Sequence, residues 1–441
     1  FPLLRPHFNF LKLLLSVSWV WYCNVLGCST MDIAQIVMYT VLFTSLYFEV
    51  FLLITFFERN EKTEGEVPQM QPDELPTVAV IVPCFNEETT VAGTLNSLLA
   101  LDYPTEKLEI LAVNDGSTDT TLEVLREFEH HSQIRVIDKE NGGKHSAMNE
   151  ALKYTNAELV GCLDADSYVE NDALKLIISH FTSDENVAAV TPSIKIHNAR
   201  SIVQTLQKAE YGLAIFVRNV FARLDALFIT PGPFSFFRRS IIEEIGPWRH
   251  AHSTEDLEMC LRLQKHHKKV TNEPGAIVHT TAPRTLYQLY NQRVRWTYGF
   301  LKNAADYYHM FFNPQYGTLG IFILPISVVS LFGAVFLFST LVWNSIVLVV
   351  QEIIRFQTIG FSTAAMPQFD IFYINTSTIV TVTLALLFLT VVLIGLGKRL
   401  GKDNVLSFDM PVYLVLYGFV TPIWLTGALY KTIMSSSVRW R

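Results

Sequence analysis

Two aspartates that directly follow an apolar segment have the spacing of a cation site. Asp164 and Asp166, separated by Ala165, come at the end of the strand-like sequence LVGCLD. Two carboxylates at the end of a buried strand are electrostatically costly unless a positive charge offsets them, and no Lys or Arg is adjacent in sequence. Mg²⁺ or Mn²⁺ shared with diphosphate oxygens would supply that charge. The alternative is an Asx turn with Ser167.

A second set of polar residues follows two other strand-like segments. Pro83, Asn86 and Glu87 lie in PCFNEE, and Asp115 lies in NDGSTD. A carboxylate at a strand end can bind a ribose hydroxyl or the edge of a base, as the acidic residue of a dinucleotide site does. A turn or helix-capping role for Asp115 is the alternative.

A Gly-Gly-Lys sequence opens the helical segment that comes next. Gly142 and Gly143 let the backbone approach a ligand closely, and Lys144 beside a helix N-terminus offers positive potential to a diphosphate. The full phosphate-binding pattern GxxxxGK[ST] is absent from the sequence, so this segment is not a P-loop.

A pair of acidic residues begins an amphipathic helical segment further along the chain. Glu255 and Asp256 follow Thr254 and precede LEMCLRLQKHH. Acidic residues in a first turn complement the helix dipole, and Ser253 or Thr254 would cap the helix, so a structural role accounts for this composition. The functional alternative is that Asp256, with Glu255 beside it, acts as a general base on a sugar hydroxyl.

The last motif is QRVRW, which contains Gln292, Arg293, Arg295 and Trp296. The two arginines are two positions apart and do not share one face of a helix, so they can serve different partners. One could clamp a phosphate with its planar fork, while the tryptophan offers an apolar face to a sugar ring. An aromatic and basic belt at a membrane surface is the alternative.

The elements that position these residues alternate between β-branched and helical patterns, which predicts an α/β domain with a mostly parallel mixed sheet. The predicted strands are Val78–Val82, Leu108–Asn114, Ile134–Asp138 and Leu159–Asp164. The predicted helices between them are Thr89–Ala100, Thr120–His130 and Ser146–Thr155. In such a sheet, ligands bind at the carboxyl ends of the strands, which is where these polar residues cluster.

Apolar segments flank this domain and predict membrane spans. The residues are 50% hydrophobic and 17% charged, which is too apolar for an ordinary cytosolic enzyme. This pattern predicts two transmembrane helices over 1–58, followed by a linker over 59–75 and the α/β domain over 76–282. It further predicts interfacial helices with QRVRW over 283–316 and about three transmembrane helices over 317–441.

Some details of the predicted spans stay open. The first apolar run, 13–27, also fits a signal-peptide core, but the span close behind it favours a membrane anchor. The uncharged stretch 317–350 is either one long helix with an interfacial extension or a tight pair. The basic loop 398–409 and the middle domain are expected on the cytosolic side of the plasma membrane. If 317–350 crosses the membrane once, this topology places Lys431 on the outer side, which conflicts mildly with the preference of basic residues for the cytosolic side. Segments 201–229 and 283–312 have the composition of interfacial helices.

The charge balance and the cysteines exclude several classes of function. The formal net charge of −7 leaves no excess of basic residues to neutralise a nucleic-acid backbone, so nucleic acid is excluded as a partner. The five cysteines form no CxxC pair, which argues against a disulfide framework or a structural zinc site. A transporter is disfavoured because ionisable residues inside the predicted spans are few.

Together these motifs resemble a membrane-embedded family 2 glycosyltransferase with the GT-A fold, the group that contains the poly-N-acetylglucosamine, cellulose, hyaluronan and chitin synthases. The resemblance covers about 78–310 and rests on the order of the spaced aspartate, DxD, TED and QxxRW motifs. One further segment, PGPFSFFRRS at residues 231–240, resembles the sequences of the hyaluronan and chitin-oligosaccharide branch of this group.

The resemblance implies a role for each motif. Asp115 and Lys144 would contact the nucleotide of a UDP-sugar, together with the PCFNEE segment, and Asp164 and Asp166 would bind nucleotide and metal. Asp256 would be the catalytic base, and Gln292, Arg293, Arg295 and Trp296 would form the diphosphate and acceptor site.

The resemblance predicts an inverting transferase that polymerises a UDP-sugar, with UDP-N-acetylglucosamine the preferred guess, and secretes the chain through its membrane helices. Its partners would be the donor, the growing polysaccharide or a lipid-linked acceptor, and the bilayer. No receptor domain for a cyclic dinucleotide is recognisable in the sequence, so such regulation would need a small accessory subunit. The alternative is non-processive transfer of one sugar to a lipid carrier.

Overall fold

The computed structural model of this chain describes residues 33–58, 74–359, 378–405 and 407–434. The chain divides into two compact units, with the divisions after Phe51, Phe338 and Leu389. The smaller unit is helical in its described part. The larger unit contains the sheet and every motif discussed above, so the candidate site can be described within it alone.

One mixed sheet of eight strands forms the centre of the larger unit. The strands are β1 Val78–Cys84, β2 Leu108–Asp115, β3 Ile134–Lys139, β4 Leu159–Cys162, β5 Ser167–Val169, β6 Val187–Ile196, β7 Ser235–Arg238 and β8 Lys269–Thr280. Their order across the sheet is β3-β2-β1-β4-β7-β6-β8-β5. β1 pairs in parallel with β2 and β4, β2 with β3, and β6 with β8. β7 runs antiparallel to both β4 and β6, and β5 runs antiparallel to β8. The prediction of a mostly parallel mixed sheet is therefore confirmed.

Helices cover the sheet, which explains why the central strands are apolar on both faces. Val78 to Val82 of β1 are all fully buried. The helices of this domain are α2 Val91–Leu99, α3 Thr121–Glu127, α4 Lys144–Ala151, α5 Ala173–Ser183, α6 Ile202–Arg223, α7 Arg239–Ile245, α8 Glu255–Lys265 and α9 Leu286–Asp306. Leu95 and Leu98 of α2 and Ile177 of α5 pack into the same buried core.

The four strands predicted from the sequence all exist, and the three predicted helices correspond to α2, α3 and α4. β5 to β8 were not predicted. β6 and β8 are interrupted by Pro192 and Gly275, and their pairing register shifts near Val187 and Thr191, so neither shows a regular two-residue period. β5 and β7 are only three and four residues long, which is too short for a periodic signal.

Four described helices are long and apolar enough to cross a membrane: Gln35–Glu58, Leu319–Thr358, Thr378–Leu400 and Asp409–Ile433. By secondary structure they correspond to α1 Ile33–Glu58, α10 Leu324–Ile359 with a π-helical turn before it, α11 Thr378–Leu400 and α12 Asp409–Ile433. The uncharged stretch 317–350 thus belongs to one continuous helix and not to a tight pair. The predicted first span, 13–27, lies outside the described residues, as does most of the predicted linker.

Capping boxes define the starts of α6 and α9, the two helices predicted to be interfacial. Oγ of Ser201 accepts a hydrogen bond from the backbone N–H of Gln204 at 3.1 Å, and the Gln204 side chain accepts from the Ser201 backbone N–H at 3.2 Å. Thr285 and Gln288 repeat this arrangement at the start of α9. These reciprocal bonds satisfy N–H groups that a helix start otherwise leaves unpaired.

Both of these helices pack against the ends of α11 and α12. Gly212 of α6 lies against Gly397 of α11, where a Cβ on Gly397 would overlap the Gly212 carbonyl. Tyr290 of α9 fills the space beside Gly427 of α12 in the same way. The apolar contacts between the three helices α6, α9 and α12 include Val203, Leu206, Leu289, Val412 and Trp424. The sheet domain is therefore joined to the ends of two apolar helices by close helix packing.

Candidate active site

Two loops at the carboxyl ends of β1 and β2 are bonded to each other. Asn86 adopts a left-handed conformation with φ of 57°, and its Oδ1 accepts from the Thr118 backbone N–H at 2.8 Å. Glu88 Oε2 accepts from the backbone N–H of Thr120 at 3.0 Å. Glu87 donates its backbone N–H to Thr121 Oγ1 at 2.8 Å. In this structure Asn86 therefore holds the two loops together, while Pro83 lies inside β1, paired with Val113 of β2.

Asp115, at the end of β2, is buried and binds the Gly-Gly-Lys loop. Its carboxylate accepts from Lys139 Nζ at 2.6 Å and from the backbone N–H groups of Gly142 at 3.0 Å and Gly143 at 2.7 Å. Gly143 has φ of 84°, which a residue with a side chain rarely adopts. Asp115 thus shapes the loop that precedes α4, which is a positioning role of the kind the turn interpretation anticipated.

The loop places Lys144 against the first aspartate of the DxD motif. Lys144 Nζ lies 2.5 Å from Asp164 Oδ1. Burial opposes the charge on Lys144, but Asp164, Cys162, Glu255 and Asp256 together raise its pKa well above the usual value. Asp164 therefore has a cationic partner that is not adjacent in sequence, since Lys144 lies twenty positions earlier in the chain.

The second aspartate of the motif faces other acidic groups. Burial, together with the nearby carboxylates of Asp164 and Glu87, raises the pKa of Asp166 to about 7. Ser167 Oγ donates to Asp166 Oδ1 at 3.2 Å, and the Ser167 backbone N–H donates to the Asp164 carbonyl at 3.0 Å. The two alternatives considered for this motif, a turn with Ser167 and a cluster of acidic side chains, are therefore present together.

This cluster fits a divalent cation only with help from a ligand. Carboxylate oxygens are the donors that Mg²⁺ and Mn²⁺ prefer, and the carboxylates of Asp164 and Glu87 act on Asp166. Within the described part of the chain, no group of three or more His, Cys, Asp or Glu side chains is arranged to hold a metal. The remaining oxygen ligands would have to come from water and a bound diphosphate, as is usual for Mg²⁺.

Asp256 joins the same cluster from the start of α8. Burial and the charges of Glu255 and Asp164 outweigh the opposing effect of Lys144 and raise its pKa to about 6. The backbone of this turn is fixed by Thr230, whose Oγ1 donates to the Asp256 carbonyl at 2.8 Å. Lys144 pairs with Asp164 and lines one cleft together with Glu255 and Asp256, so the DxD motif and the start of α8 meet at one edge of the sheet although they lie far apart in the sequence.

A narrow cleft lies between Lys144 and the two acidic residues of α8, lined also by Thr230, Pro231, Gly232 and Trp248. A Cβ on Gly232 would overlap Lys144 Nζ and lie 3.3 Å from Asp164 Oδ2. Gly232 is thus a site residue that the sequence motifs did not single out. Its signal was the PGP sequence, in which a glycine between two prolines indicates a tight turn with close backbone approach.

The start of α8 is not stabilised by the expected side-chain cap. Thr254 occupies the N-cap position without a capping hydrogen bond from its side chain. Its hydroxyl donates instead to the Ala251 carbonyl at 3.0 Å. The three preceding residues, 251–253, all have positive φ, between 44° and 64°, in a conformation that non-glycine residues adopt only when their surroundings hold it.

One face of helix α9 contacts this turn and holds its backbone in place. Gly299, Asn303 and Tyr307 are spaced four residues apart, so they lie above one another on that face. Gly299 contacts Thr254 so closely that a Cβ would overlap its side chain. Asn303 Nδ2 donates to Thr254 Oγ1 at 3.0 Å and to the Ala251 carbonyl at 3.2 Å. The helix that carries QRVRW therefore supports the loop that carries Glu255 and Asp256.

Arg293 of QRVRW is engaged elsewhere. Its guanidinium lies 2.7 Å from Glu210 Oε2 on α6 and 4.3 Å from the centre of the Trp296 ring. Tyr417 of α12 donates to the same carboxylate at 3.3 Å. Burial opposes the charge on Arg293, but Glu210 raises its pKa. The charge of Arg293 is thus paired with Glu210 at a junction of helices.

The other residues of the motif have different surroundings. Arg295 is half-buried, and Trp296 is 37% exposed. Oε1 of Gln292 is buried without a hydrogen-bond partner among the described residues. Burial raises the pKa of Tyr211 in α6, with smaller contributions from the charges of Arg293, Glu210 and Asp166.

A family model described as "Glycosyltransferase like family 2" matches residues 76–299. Over 272 residues the chain is 32% identical to the poly-beta-1,6-N-acetyl-D-glucosamine synthase of Staphylococcus aureus and 31% identical to that of Staphylococcus epidermidis. Each alignment covers 61% of this chain and 66% of the relative, so the aligned part spans just under two thirds of the relatives' length.

A solved structure, the mannosyltransferase of Pyrobaculum calidifontis in complex with GDP-Man and Mn²⁺, is similar to this chain with a TM-score of 0.55. The two are 17% identical, and the match covers 91% of this chain and 99% of the mannosyltransferase. This likeness shows a shared fold and confirms the prediction of a GT-A-like domain.

Proposed function

This chain belongs to the glycosyltransferase-like family 2, and on that premise we propose that it polymerises N-acetylglucosamine from UDP-N-acetylglucosamine with inversion at the anomeric carbon. The observation that carries the proposal is the convergence of Lys144, Asp164, Asp166 and Asp256 at one edge of the sheet. The choice of sugar rests on the two staphylococcal relatives, which are named as synthases of a poly-N-acetylglucosamine.

The donor would bind along the carboxyl ends of β1, β2 and β4. The loop bonded to Asp115 would receive the nucleotide, and Lys144 would offer its charge to the diphosphate. Asp164 and Asp166 would hold Mg²⁺ or Mn²⁺ together with diphosphate oxygens. The ion, when bound, supplies positive charge to the departing UDP. Arg293 and Arg295 of QRVRW would add positive charge near the diphosphate and the acceptor, with Arg293 oriented by its pair with Glu210.

Asp256 would act as the general base. It takes the proton from an acceptor hydroxyl, whose oxygen then forms the new bond to the anomeric carbon. The bond from that carbon to the UDP oxygen breaks at the same time, and UDP leaves with the electron pair. A pKa near 6 suits this role, since the carboxylate is ionised at neutral pH and is more basic than an exposed aspartate. Glu255, beside it, contributes by keeping that pKa raised.

The acceptor would reach the site from the membrane side. α6 and α9 pack on the ends of α11 and α12, and Trp296 presents part of its ring to solvent near this junction. A partly exposed aromatic face is suited to stacking on a sugar ring. We propose that the catalytic domain lies on the cytosolic side of the plasma membrane, that the polymer grows by repeated addition and that it leaves between the apolar helices.

The test is a donor screen with the full chain purified in detergent or nanodiscs. UDP release is measured with UDP-N-acetylglucosamine, UDP-glucose and UDP-glucuronate, each with Mg²⁺ or Mn²⁺, and the products are sized. We expect the fastest release with UDP-N-acetylglucosamine and a polymeric product. If the product is a lipid that carries a single sugar, the enzyme transfers one sugar to a lipid carrier and does not polymerise. If no donor gives UDP release, the proposal is contradicted. The variant Asp102→Asn, which removes an exposed carboxylate paired with Lys175, is the control for purification and charge.

A further inference from the structure

A second pocket lies beside the sheet, on residues that the proposed reaction does not use. It measures about 250 Å³, near the low end of the size range of small-molecule sites. One wall comes from the end of β6 and from α6, and the other comes from the end of α11 and the loop after it. Three lysines line it, namely Lys195, Lys208 and Lys398, together with a single carboxylate, Asp403.

The positive charges of this pocket are only partly neutralised by the protein. Lys398 is fully committed, because it is buried and lies 2.5 Å from Asp409. Lys208 pairs with Asp403 at 3.3 Å, and Lys402, the residue before Asp403, has a long contact of 3.8 Å with Asp172. The remaining lysine of the pocket, Lys195, pairs with no carboxylate among the described residues.

Lys195 is held in an unfavourable setting for a cation. It is half-buried, and its ammonium donates only a long hydrogen bond of 3.4 Å to the Lys402 carbonyl. Burial lowers its pKa, and the attraction of Asp403 and Glu170 does not offset this effect because Lys208 and Lys402 lower the pKa as well. An anion in the pocket would relieve this electrostatic cost.

The position of the pocket indicates where such an anion comes from. Lys398 and Arg399 are in the last turn of α11, an apolar helix of 23 residues that can cross a membrane. The end of a membrane span lies at the level of the lipid headgroups, where Lys and Arg side chains meet anionic phospholipids. The pocket opens at the same level, since its wall includes Lys398 and Asp403.

We infer that this pocket binds a phosphate group, supplied by the headgroup of an anionic phospholipid, with Lys195 and Lys208 as its main contacts. His197 and Asn198 at the end of β6 line the same space and add polar groups for the headgroup. Because His197 also contacts Tyr168, which is two residues from Asp166, the bound lipid would rest against the strand that follows the DxD motif.

The inference can be tested by measuring the acylation rate of individual lysines with an amine-reactive reagent and mass spectrometry. The full chain is placed in nanodiscs of phosphatidylcholine alone or of phosphatidylcholine mixed with phosphatidylglycerol. We expect the anionic lipid to slow acylation of Lys195 by at least about five-fold, the factor that corresponds to one lysine near an anionic surface. Lys153, which is exposed and paired with Glu150, serves as the internal control and should change little.

Two further arms identify the source of the phosphate and the role of the neighbouring lysine. If millimolar inorganic phosphate in neutral nanodiscs protects Lys195 as well as the anionic lipid does, the ligand is a free phosphate and not a lipid. The variant Lys208→Met should reduce the protection of Lys195, whereas Lys268→Met, which removes a lysine paired with Glu244, should not. Equal acylation of Lys195 in all three conditions overturns the inference. The readout does not depend on sugar transfer, so it is separable from the proposed enzymatic function.

Discussion

Asn303 donates a hydrogen bond to Thr254 Oγ1 at 3.0 Å and thereby joins the helix that carries QRVRW to the loop that carries the proposed base. Asn303 is 1% exposed and makes two more bonds, to the carbonyls of Ala251 and Gly299. The loop that it holds contains three consecutive residues with positive φ. Asn303 therefore links α9 to the turn that immediately precedes Glu255 and Asp256.

The first prediction concerns this connection. Asn303→Ala removes one donor each from the Thr254 hydroxyl and the Ala251 carbonyl, which still bond to each other, so we expect a loss of about 0.5–1.5 kcal/mol in unfolding free energy. We also expect kcat to fall more than KM for the donor rises, because the base and not the donor site is displaced. Kinetics and thermal unfolding of the purified variant measure both effects.

A purely structural role for Asn303 would leave the pH profile of the remaining activity unchanged, whereas displacement of Asp256 shifts it. The matched control is Asn186→Ala, in which an exposed asparagine loses one side-chain bond, from its Nδ2 to Asp184 Oδ1. An Asn303→Ala enzyme with the kcat and the pH profile of the original chain would contradict this connection.

The second prediction concerns the turn opposite Lys144. Gly232→Ala places a methyl group against Lys144 Nζ and close to Asp164. We expect KM for the donor to rise several-fold, because Lys144 must move away from the place assigned to the diphosphate. Donor titrations of UDP release measure this. Gly418→Ala is the control, since a Cβ there meets nothing within 4 Å, and it should leave KM unchanged.

The third prediction is a pH dependence with a defined direction. Asp256 has a pKa of about 6 and must be ionised to accept a proton, so kcat/KM should rise with pH through about 6 and then level off. The charged groups that face it are Glu255 on its own helix, Lys144 on α4 and Asp164 after β4. A rate that falls as pH rises from 5 to 7 would contradict the assignment.

Variants of two neighbours should move this profile in opposite directions. Glu255 raises the pKa of Asp256, so Glu255→Gln should move the rise to lower pH. Lys144 lowers the pKa of Asp256, so Lys144→Met should move the rise to higher pH, in addition to weakening donor binding. Shifts in the same direction would show that another group titrates.

The fourth prediction links the same carboxylate to stability. The pKa of Asp256 is raised on folding, so ionised Asp256 destabilises the folded chain above pH 6, and this cost disappears below about pH 4, where the carboxyl is protonated in both states. Without substrate, Asp256→Asn should therefore unfold at a temperature a few degrees higher than the original chain at pH 8. The difference should vanish toward pH 4. Equal unfolding temperatures at pH 8 would show that Asp256 carries no electrostatic cost.

Much of the fold was predictable because its central strands are apolar on both faces and short. Val78–Cys84 and Leu108–Asp115 stand out as β-branched segments between polar loops. β8 was not recognisable, because Pro274 and Gly275 interrupt it, and its position in the sheet depends on pairing with β6, 80 residues earlier. Such pairing is a tertiary property that no local pattern contains.

The residue types of the site were predictable, but several partners were not. The DxD and TED motifs identified Asp164, Asp166 and Asp256, which the structure brings together. The pairs Lys144–Asp164 and Arg293–Glu210 join residues 20 and 83 positions apart, and the support from Asn303 comes from 49 positions away. These contacts pair Arg293 with Glu210 and hold the turn before Asp256. They depend on how α6 and α9 pack, which no local sequence pattern contains.

The measurement that tests the account most directly compares UDP binding and sugar transfer in Asp256→Asn. We expect the variant to bind UDP in the presence of Mn²⁺ with the affinity of the original chain, because Asp164, Asp166 and Lys144 remain. Transfer from UDP-N-acetylglucosamine should fall by about 10²–10⁴-fold, the usual effect of losing a general base. Asp102→Asn should retain both properties. Full transfer activity in Asp256→Asn would contradict the central claim that this carboxylate is the base of a single acidic site.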